Sequence, residues 1–173
     1  MPLACLRTFF FPAFLFSLLA LCGALYLEFG LGLDACPLCQ GQRLLLAAFS
    51  LTCLGALLHR PGRIGERFYL WAGLVLALGG SALAARHVWL QGLYMAAERS
   101  CEQSMTYLLE HGSLVEWLHG LLLGSPECAP INWSFLDLSG PEWSLLAFLG
   151  LTVLVLLRLI GRRRLNPGES LES

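Results

Sequence analysis

Residues 68–85 read FYLWAGLVLALGGSALAA, an apolar run without a charged side chain. As a helix rising 1.5 Å per residue, this run spans about 27 Å, close to the roughly 30 Å of a bilayer's hydrocarbon core. Three other apolar runs approach this length, at residues 9–27, 41–58 and 143–160. The pattern predicts an all-α membrane protein, in which one domain of 173 residues forms a four-helix transmembrane bundle.

The composition of the whole chain supports this class. Hydrophobic residues make up 57% and charged residues 13% of the chain, whereas proteins average about 45–50% and 25%. A water-soluble domain this small would expose too much of that apolar surface. The 11 basic residues, all Arg, face 12 acidic ones, so the chain lacks the basic surplus of a nucleic-acid-binding protein and no nucleic-acid partner is expected.

The distribution of charge predicts the orientation. Four spans place the tails, residues 1–8 and 161–173, on the same side as the connection at residues 59–67. The loops at residues 28–40 and 86–142 lie on the other side. With Arg158 and Arg43 counted at the span ends nearest to them, eight arginines fall on the first side and three on the second. Because cytoplasmic segments carry the excess of basic residues, we expect both termini in the cytoplasm.

The first span has a second interpretation. Arg7 followed by an apolar run is also typical of a secretory signal peptide. The run is long for a signal, however, and no small-x-small cleavage motif follows it. A lipoprotein site at Cys22 is disfavoured because Leu21 stands directly before the cysteine, where a small residue is expected. We therefore expect the first span to be retained.

The predicted topology divides the 7 cysteines. Three lie in the cytoplasmic tail or inside spans, where a free cysteine usually packs as a small hydrophobic residue: Cys5, Cys22 and Cys53. The other four lie in the two outer loops: Cys36, Cys39, Cys101 and Cys128. These four face a compartment in which disulfides persist.

Cys36-Pro37-Leu38-Cys39 is a Cys-x-x-Cys pair directly before the second span. Two intervening residues allow a disulfide within one turn and tune its redox potential. The apolar part of this span, residues 44–58, covers only about 22 Å, so the helix must extend upstream and place Arg43 at the membrane surface. Arg43 and the helix N-terminus would both stabilise a Cys39 thiolate. A snorkelling interfacial Arg43 is the alternative.

Other interpretations of this pair differ in strength. A zinc site usually needs four ligands, often as two Cys-x-x-Cys units, and Cys101 and Cys128 do not form a second unit. Haem attachment needs a His where Gln40 stands. We therefore expect no metal site. A purely structural disulfide remains the main alternative to a redox-active one.

Cys101 and Cys128 lie in the long second loop. Their disulfide would either staple this loop, contributing roughly 3–4 kcal/mol, or form a second redox pair within reach of a soluble partner. Between them, apolar residues at helical spacing predict a short amphipathic helix at the membrane interface: Leu114, Trp117, Leu118, Leu121 and Leu122. Packing of this helix on the bundle is the alternative, and either arrangement brings the two pairs closer.

His87 and Gln91 are four residues apart and share a helix face if the third span continues outward. Together with Arg43 they offer hydrogen-bond donors that suit the two carbonyl oxygens of a quinone. An ordinary interfacial histidine is the alternative for His87.

These motifs, in this order and topology, resemble the DsbB family of inner-membrane disulfide bond formation proteins. The resemblance rests on Cys36-x-x-Cys39-x-x-x-Arg43, His87-x-x-x-Gln91 and the second cysteine pair. The stretches Trp133–Leu136 and Pro141–Trp143 match as well. It covers nearly the whole chain, including the four spans and both loops.

The resemblance implies a quinone-dependent oxidase in the bacterial inner membrane. Its partners would be a periplasmic thioredoxin-like protein of the DsbA type, the quinone pool and the respiratory chain. The partner's thiolate would attack the Cys101–Cys128 disulfide at Cys101, and electrons would pass to the Cys36–Cys39 pair. By the same resemblance, Cys39 would donate to ubiquinone, or menaquinone, through a thiolate–quinone charge-transfer state. Arg43, His87 and Gln91 would bind the quinone.

Two other functions fit parts of the sequence. Proteins similar to vitamin K epoxide reductase share a four-helix core and a Cys-x-x-Cys, but there the motif lies late in the chain, whereas here it precedes the second span. A non-catalytic four-span scaffold with disulfide-stapled loops would leave a Cys-x-x-Cys against the bilayer without a role. The oxidase therefore accounts for more of the sequence than either alternative.

Overall fold

The computed structural model describes residues 2–32, 36–95, 115, 134–136 and 138–165. It contains four long helices, α1 (Pro2–Phe29), α2 (Pro37–His59), α3 (Arg63–Met95) and α4 (Gly140–Leu165). Two short strands, β1 (Ser134–Phe135) and β2 (Leu138–Ser139), pair antiparallel just before α4. All four helices are long and apolar enough to cross a membrane, which confirms the predicted four-helix membrane fold.

Each predicted span lies inside one helix, but the helices are longer at their ends. Helix α3 continues through Met95, so residues 86–95 are helical rather than part of a loop. The connection between α2 and α3 shortens to residues 60–62. Of the predicted interfacial helix, only Val115 is described, and it is helical and exposed. The rest of that prediction lies outside the described residues.

Helix α2 begins at the cysteine motif. Cys36 is its N-cap residue, with extended backbone angles of φ −67° and ψ 162°. Its sulfur accepts a hydrogen bond from the backbone N–H of Cys39 at 3.4 Å. Pro37 follows at the first helical position, where its missing N–H has no helical partner to lose. The motif therefore caps the helix, and Cys39 lies in its first turn.

The helices pack in chain order, α1 on α2, α2 on α3 and α3 on α4. Their shared core contains three fully buried phenylalanines, Phe10, Phe49 and Phe148. Large apolar side chains cover the outside of the bundle, and Leu51, for example, is 67% exposed. Apolar residues on both faces of a helix are expected where the solvent is lipid.

A glycine and an ion pair lie between α3 and α4. A Cβ atom added at Gly80 of α3 would overlap the ring of Phe148 on α4, so glycine is required for this close approach. At the far end of the same pair of helices, Arg158 of α4 donates to Glu66 of α3 at 3.0 Å. The charged residue of the fourth span thus has a partner within the bundle.

Candidate active site

The two cysteines of the Cys-x-x-Cys motif lie against each other at the start of α2. Their sulfur atoms are 3.1 Å apart. A disulfide needs about 2.05 Å between the same atoms, so a small movement within one helical turn separates the dithiol from the disulfide. Both side chains are half-buried. The geometry suits a pair that is repeatedly oxidised and reduced.

His87 of α3 contacts both sulfur atoms. Its Nε2 lies 3.7 Å from Cys36 Sγ and its Nδ1 lies 3.9 Å from Cys39 Sγ. The ring is 2% exposed. The side chain of Gln42, also buried, lies with its Nε2 3.4 Å from His87 Nδ1. An imidazole held in this way can accept a thiol proton or stabilise a thiolate.

Arg43 lies one helical turn after Cys39, and its guanidinium reaches α1. It forms an ion pair with Glu28, and its second terminal nitrogen donates to the carbonyl of Ala24 at 2.8 Å. Gln40 donates to the other carboxylate oxygen of Glu28 at 3.2 Å. The cation is therefore fixed at the junction of α1 and α2, beside the cysteine motif.

Gln91 lies one turn beyond His87 on α3 and meets the start of α4. Its Oε1 is 3.1 Å from the hydroxyl of Ser139, and that hydroxyl is 2.9 Å from Glu142 Oε2. Glu142 also accepts from the backbone N–H of Ser139. Because a hydroxyl has one proton, both side-chain bonds form when the amide of Gln91 turns its NH₂ toward Ser139.

The structure brings together some of the predicted site residues and separates others. Cys36, Cys39 and His87 form one cluster, with Arg43 at its α1 side and Gln91 bonded to the segment before α4. The predicted roles of Arg43, His87 and Gln91 in quinone binding stay predictions. Cys101 and Cys128 lie outside the described residues.

Four polar residues at this end of the bundle were not assigned a role from the sequence: Glu28, Gln42, Ser139 and Glu142. Glu28 follows the first span directly, and an acid at the edge of an apolar run was a signal for pairing with Arg43. Gln42 lies three residues after Cys39, on the same helix face. Ser139 and Glu142 carried no signal in the sequence that linked them to Gln91.

The side chains of this cluster are suited to metal binding as well as to redox chemistry. One ligand atom each from Cys36, Cys39 and His87 lie within 4.8 Å of one another. Two thiolates and an imidazole are also donors that zinc binds. Two of the three donors, Cys36 and Cys39, belong to one sequence motif, whereas the third, His87, comes from another helix.

The sequence model described as "Disulfide bond formation protein DsbB" matches residues 6–158. Disulfide bond formation protein B 2 of Pseudomonas entomophila is 48% identical over 163 residues, covering 94% of this chain and 96% of that protein. Disulfide bond formation protein B 1 of Pseudomonas aeruginosa is 43% identical, covering 91% and 99%. The corresponding protein of Methylococcus capsulatus is 40% identical, covering 91% and 96%.

Proposed function

Because this chain belongs to the DsbB family of disulfide bond formation proteins, we propose that it is a quinone-dependent protein-disulfide oxidase. It oxidises a periplasmic thioredoxin-like dithiol protein of the DsbA type and passes the electrons to membrane ubiquinone. One observation carries the proposal. The Cys36–Cys39 pair caps a membrane-spanning helix and touches a buried histidine.

The electrons travel through two cysteine pairs. The partner's thiolate attacks Cys101, which opens the Cys101–Cys128 disulfide and forms a mixed disulfide. The partner's second thiol then displaces Cys101, so the partner leaves oxidised and the loop pair is left as two thiols. Those thiols reduce the Cys36–Cys39 disulfide by the same exchange. Each step conserves two electrons and two protons.

His87 and the helix N-terminus act on the reduced Cys36–Cys39 pair. The N–H of Cys39 bonds to Cys36 Sγ, and His87 lies within 4 Å of both sulfurs. Both groups stabilise a thiolate, and His87 takes up a thiol proton as the disulfide re-forms. Gln42 keeps the ring of His87 in place. The protein thereby prepares the pair for two-electron oxidation.

A quinone, when bound, supplies the acceptor for two electrons and two protons. The donor set fits such a molecule, because the bonds of Arg43 to Glu28 and Ala24 use two of its five N–H groups. The other three N–H groups have no acceptor among the described residues, so they can bind a carbonyl oxygen. Leu44, the next residue, is 53% exposed on the lipid side and offers an apolar contact. Menaquinone presents the same carbonyl chemistry.

The location follows from the same proposal. The four candidate spans in the described part of the chain put both termini on one side, and the arginine excess makes that side the cytoplasm. The cysteine pairs then face the periplasm across the bacterial inner membrane. A DsbA-type partner is itself a strong oxidant, at about −120 mV, so its reoxidation requires a potent terminal acceptor in the membrane.

Turnover of the purified protein tests the proposal. We expect the full chain, supplied with ubiquinone, to reoxidise a reduced thioredoxin-like dithiol with loss of quinone absorbance. The Cys39→Ser variant should abolish this rate, whereas Cys22→Ser, at an exposed cysteine of α1, should leave it unchanged. An unchanged rate in Cys39→Ser would refute the mechanism.

Trapping tests the order of the two pairs. With a partner that lacks its second cysteine, we expect the partner to remain linked to Cys101 as a mixed disulfide, because no partner thiol is left to displace Cys101. Peptide mapping of the adduct identifies which loop cysteine is linked. If the partner is instead trapped through Cys128, the assignment of the entry cysteine is reversed.

A further inference from the structure

The reduced cysteine pair and His87 have the arrangement of a metal site. The two sulfurs are 3.1 Å apart, His87 Nε2 lies 3.7 Å from Cys36 Sγ, and one ligand atom from each of the three residues lies within 4.8 Å of the others. Around a tetrahedral zinc ion, with bonds of about 2.3 Å to sulfur and 2.0 Å to nitrogen, ligand atoms lie roughly 3.5–3.8 Å apart. An ion therefore fits between the three side chains once the sulfurs move apart by roughly 0.6 Å and the imidazole turns so that one nitrogen faces both sulfurs.

The neighbouring polar groups favour the same ion. The amide of Gln42 lies 3.4 Å from His87 Nδ1. With its oxygen turned to this atom, Gln42 accepts the Nδ1–H, which puts the ring's lone pair on Nε2, the nitrogen that would bind the metal. The ring is buried, so its orientation is kept when the ion arrives.

The charge of the complex suits the membrane edge. Two thiolates and one Zn²⁺ sum to zero, which removes the cost of a net charge in a half-buried site. The fixed cation nearby, Arg43, is balanced by Glu28 and so does not repel the ion as an isolated arginine would. Three protein ligands leave the fourth position to a water molecule.

We propose that the reduced Cys36–Cys39 pair and His87 bind one Zn²⁺ ion, and that this ion blocks oxidation of the pair. Binding releases the two thiol protons and forms two zinc–sulfur bonds, with no change of oxidation state. Both sulfurs are then held by the metal, so they cannot join to each other or attack another disulfide. The binding rests on geometry alone, and the inhibition rests on the proposed oxidase function.

Zinc titration of the reduced full chain tests the binding. The Cys101→Ser, Cys128→Ser background removes the loop pair as a competing site. We expect one Zn²⁺ per chain, measured by competition with a chromophoric chelator. Cys36→Ser and His87→Ala should each weaken the affinity by more than about 100-fold, because they remove direct ligands, and Gln42→Ala by about 10-fold.

Matched controls separate this site from nonspecific binding. Cys53→Ser removes a buried cysteine of α2, and His59→Ala removes a histidine at the opposite end of that helix. Both should keep the parent affinity. Equal zinc affinity in the parent, Cys36→Ser and His87→Ala proteins would overturn the proposal, as would equal binding by the oxidised parent.

Turnover provides an independent measurement. In the protein with all its cysteines, Zn²⁺ should stop thiol oxidation at the concentration that saturates the site, and a chelator should restore the rate. Normal turnover that zinc does not affect at saturation overturns the inhibition. If the protein has no oxidase activity at all, the proposed function fails while the chelator titration still decides the metal site.

Discussion

Arg43 of α2 and Glu28 of α1 form an ion pair beside the redox cysteines. The two residues are 15 apart in sequence and lie at the ends of neighbouring helices. Both side chains are largely buried, with 14% and 21% of their surfaces exposed. The pair fixes the direction of the guanidinium, so the position of the cation that we assign to quinone binding depends on α1.

Replacing Glu28 should change quinone binding more than stability. In Glu28→Gln the guanidinium loses a charged acceptor and is held less firmly, so we expect KM for ubiquinone to rise several-fold with a smaller change in kcat. The matched control is Glu66→Gln, which weakens the ion pair with Arg158 at the other end of the bundle. That variant should change the melting temperature and leave KM unchanged. Similar KM values in both variants and the parent would contradict the role of Glu28.

Two replacements of Arg43 should distinguish the effect of its charge on quinone binding from the effect of its planar shape. Arg43→Ala removes the cation, and we expect KM for ubiquinone to rise by at least about 10-fold, the loss of one charge-assisted hydrogen bond of roughly 1.5–3 kcal/mol. Arg43→Lys keeps the charge but lacks the planar guanidinium that bonds to both Glu28 and Ala24. Its KM should therefore lie between those of the parent and of Arg43→Ala. Thermal unfolding of each variant checks the fold. A loss of stability in proportion to the loss of activity would favour the snorkelling interpretation.

Because Gly80 packs closely against Phe148, adding a single methyl group at this position should destabilise the protein. In Gly80→Ala the new Cβ overlaps the ring of Phe148, so α3 and α4 must separate, and we expect destabilisation of about 1–3 kcal/mol. Gly150→Ala on α4 is the control, because a Cβ there has no neighbour within 4 Å. Unfolding in detergent, followed by loss of helical signal, measures both. Equal stability of the two variants would show that the helices adjust without cost.

Ser139 should contribute through its link to Gln91. Ser139→Ala leaves the backbone N–H to Glu142 but removes the hydroxyl that Gln91 contacts, and a buried amide without its partner costs about 1–3 kcal/mol. Ser81→Ala is the control, since that hydroxyl bonds only to a carbonyl of its own helix, that of Ala77, among the described contacts. We expect a clear fall in melting temperature for the first variant and almost none for the second. The reverse order would exclude the network as a source of stability.

The helices of this protein could be predicted from consecutive residues. Apolar runs of sufficient length define each span, and the Cys-x-x-Cys motif with Pro37 predicts a helix start, because capping is a local property of the chain. The extension of α3 through Met95 was harder to predict. The segment after Ala85 contains Arg86, His87 and Gln91, so its hydropathy falls although the helix continues.

The contacts between helices depend on the tertiary packing and could not be predicted from consecutive residues. His87 meets Cys36 across 51 residues of sequence, and Gln91 meets Ser139 across 48. Both contacts depend on how α3 is rotated against α2 and how closely α4 approaches at Gly80. Rotation and spacing arise from the packing of whole side chains, which the periodicity of one helix does not contain.

The sequence by itself therefore determined that this is a four-span membrane protein with a Cys-x-x-Cys pair at the head of its second span, because hydropathy and motif spacing are properties of neighbouring residues. Only the tertiary structure decided that His87 joins the two sulfurs and that Glu28 holds Arg43. Those contacts form where separate helices meet at one end of the bundle, and a partner across a helix interface is selected by distance in space rather than by position along the chain.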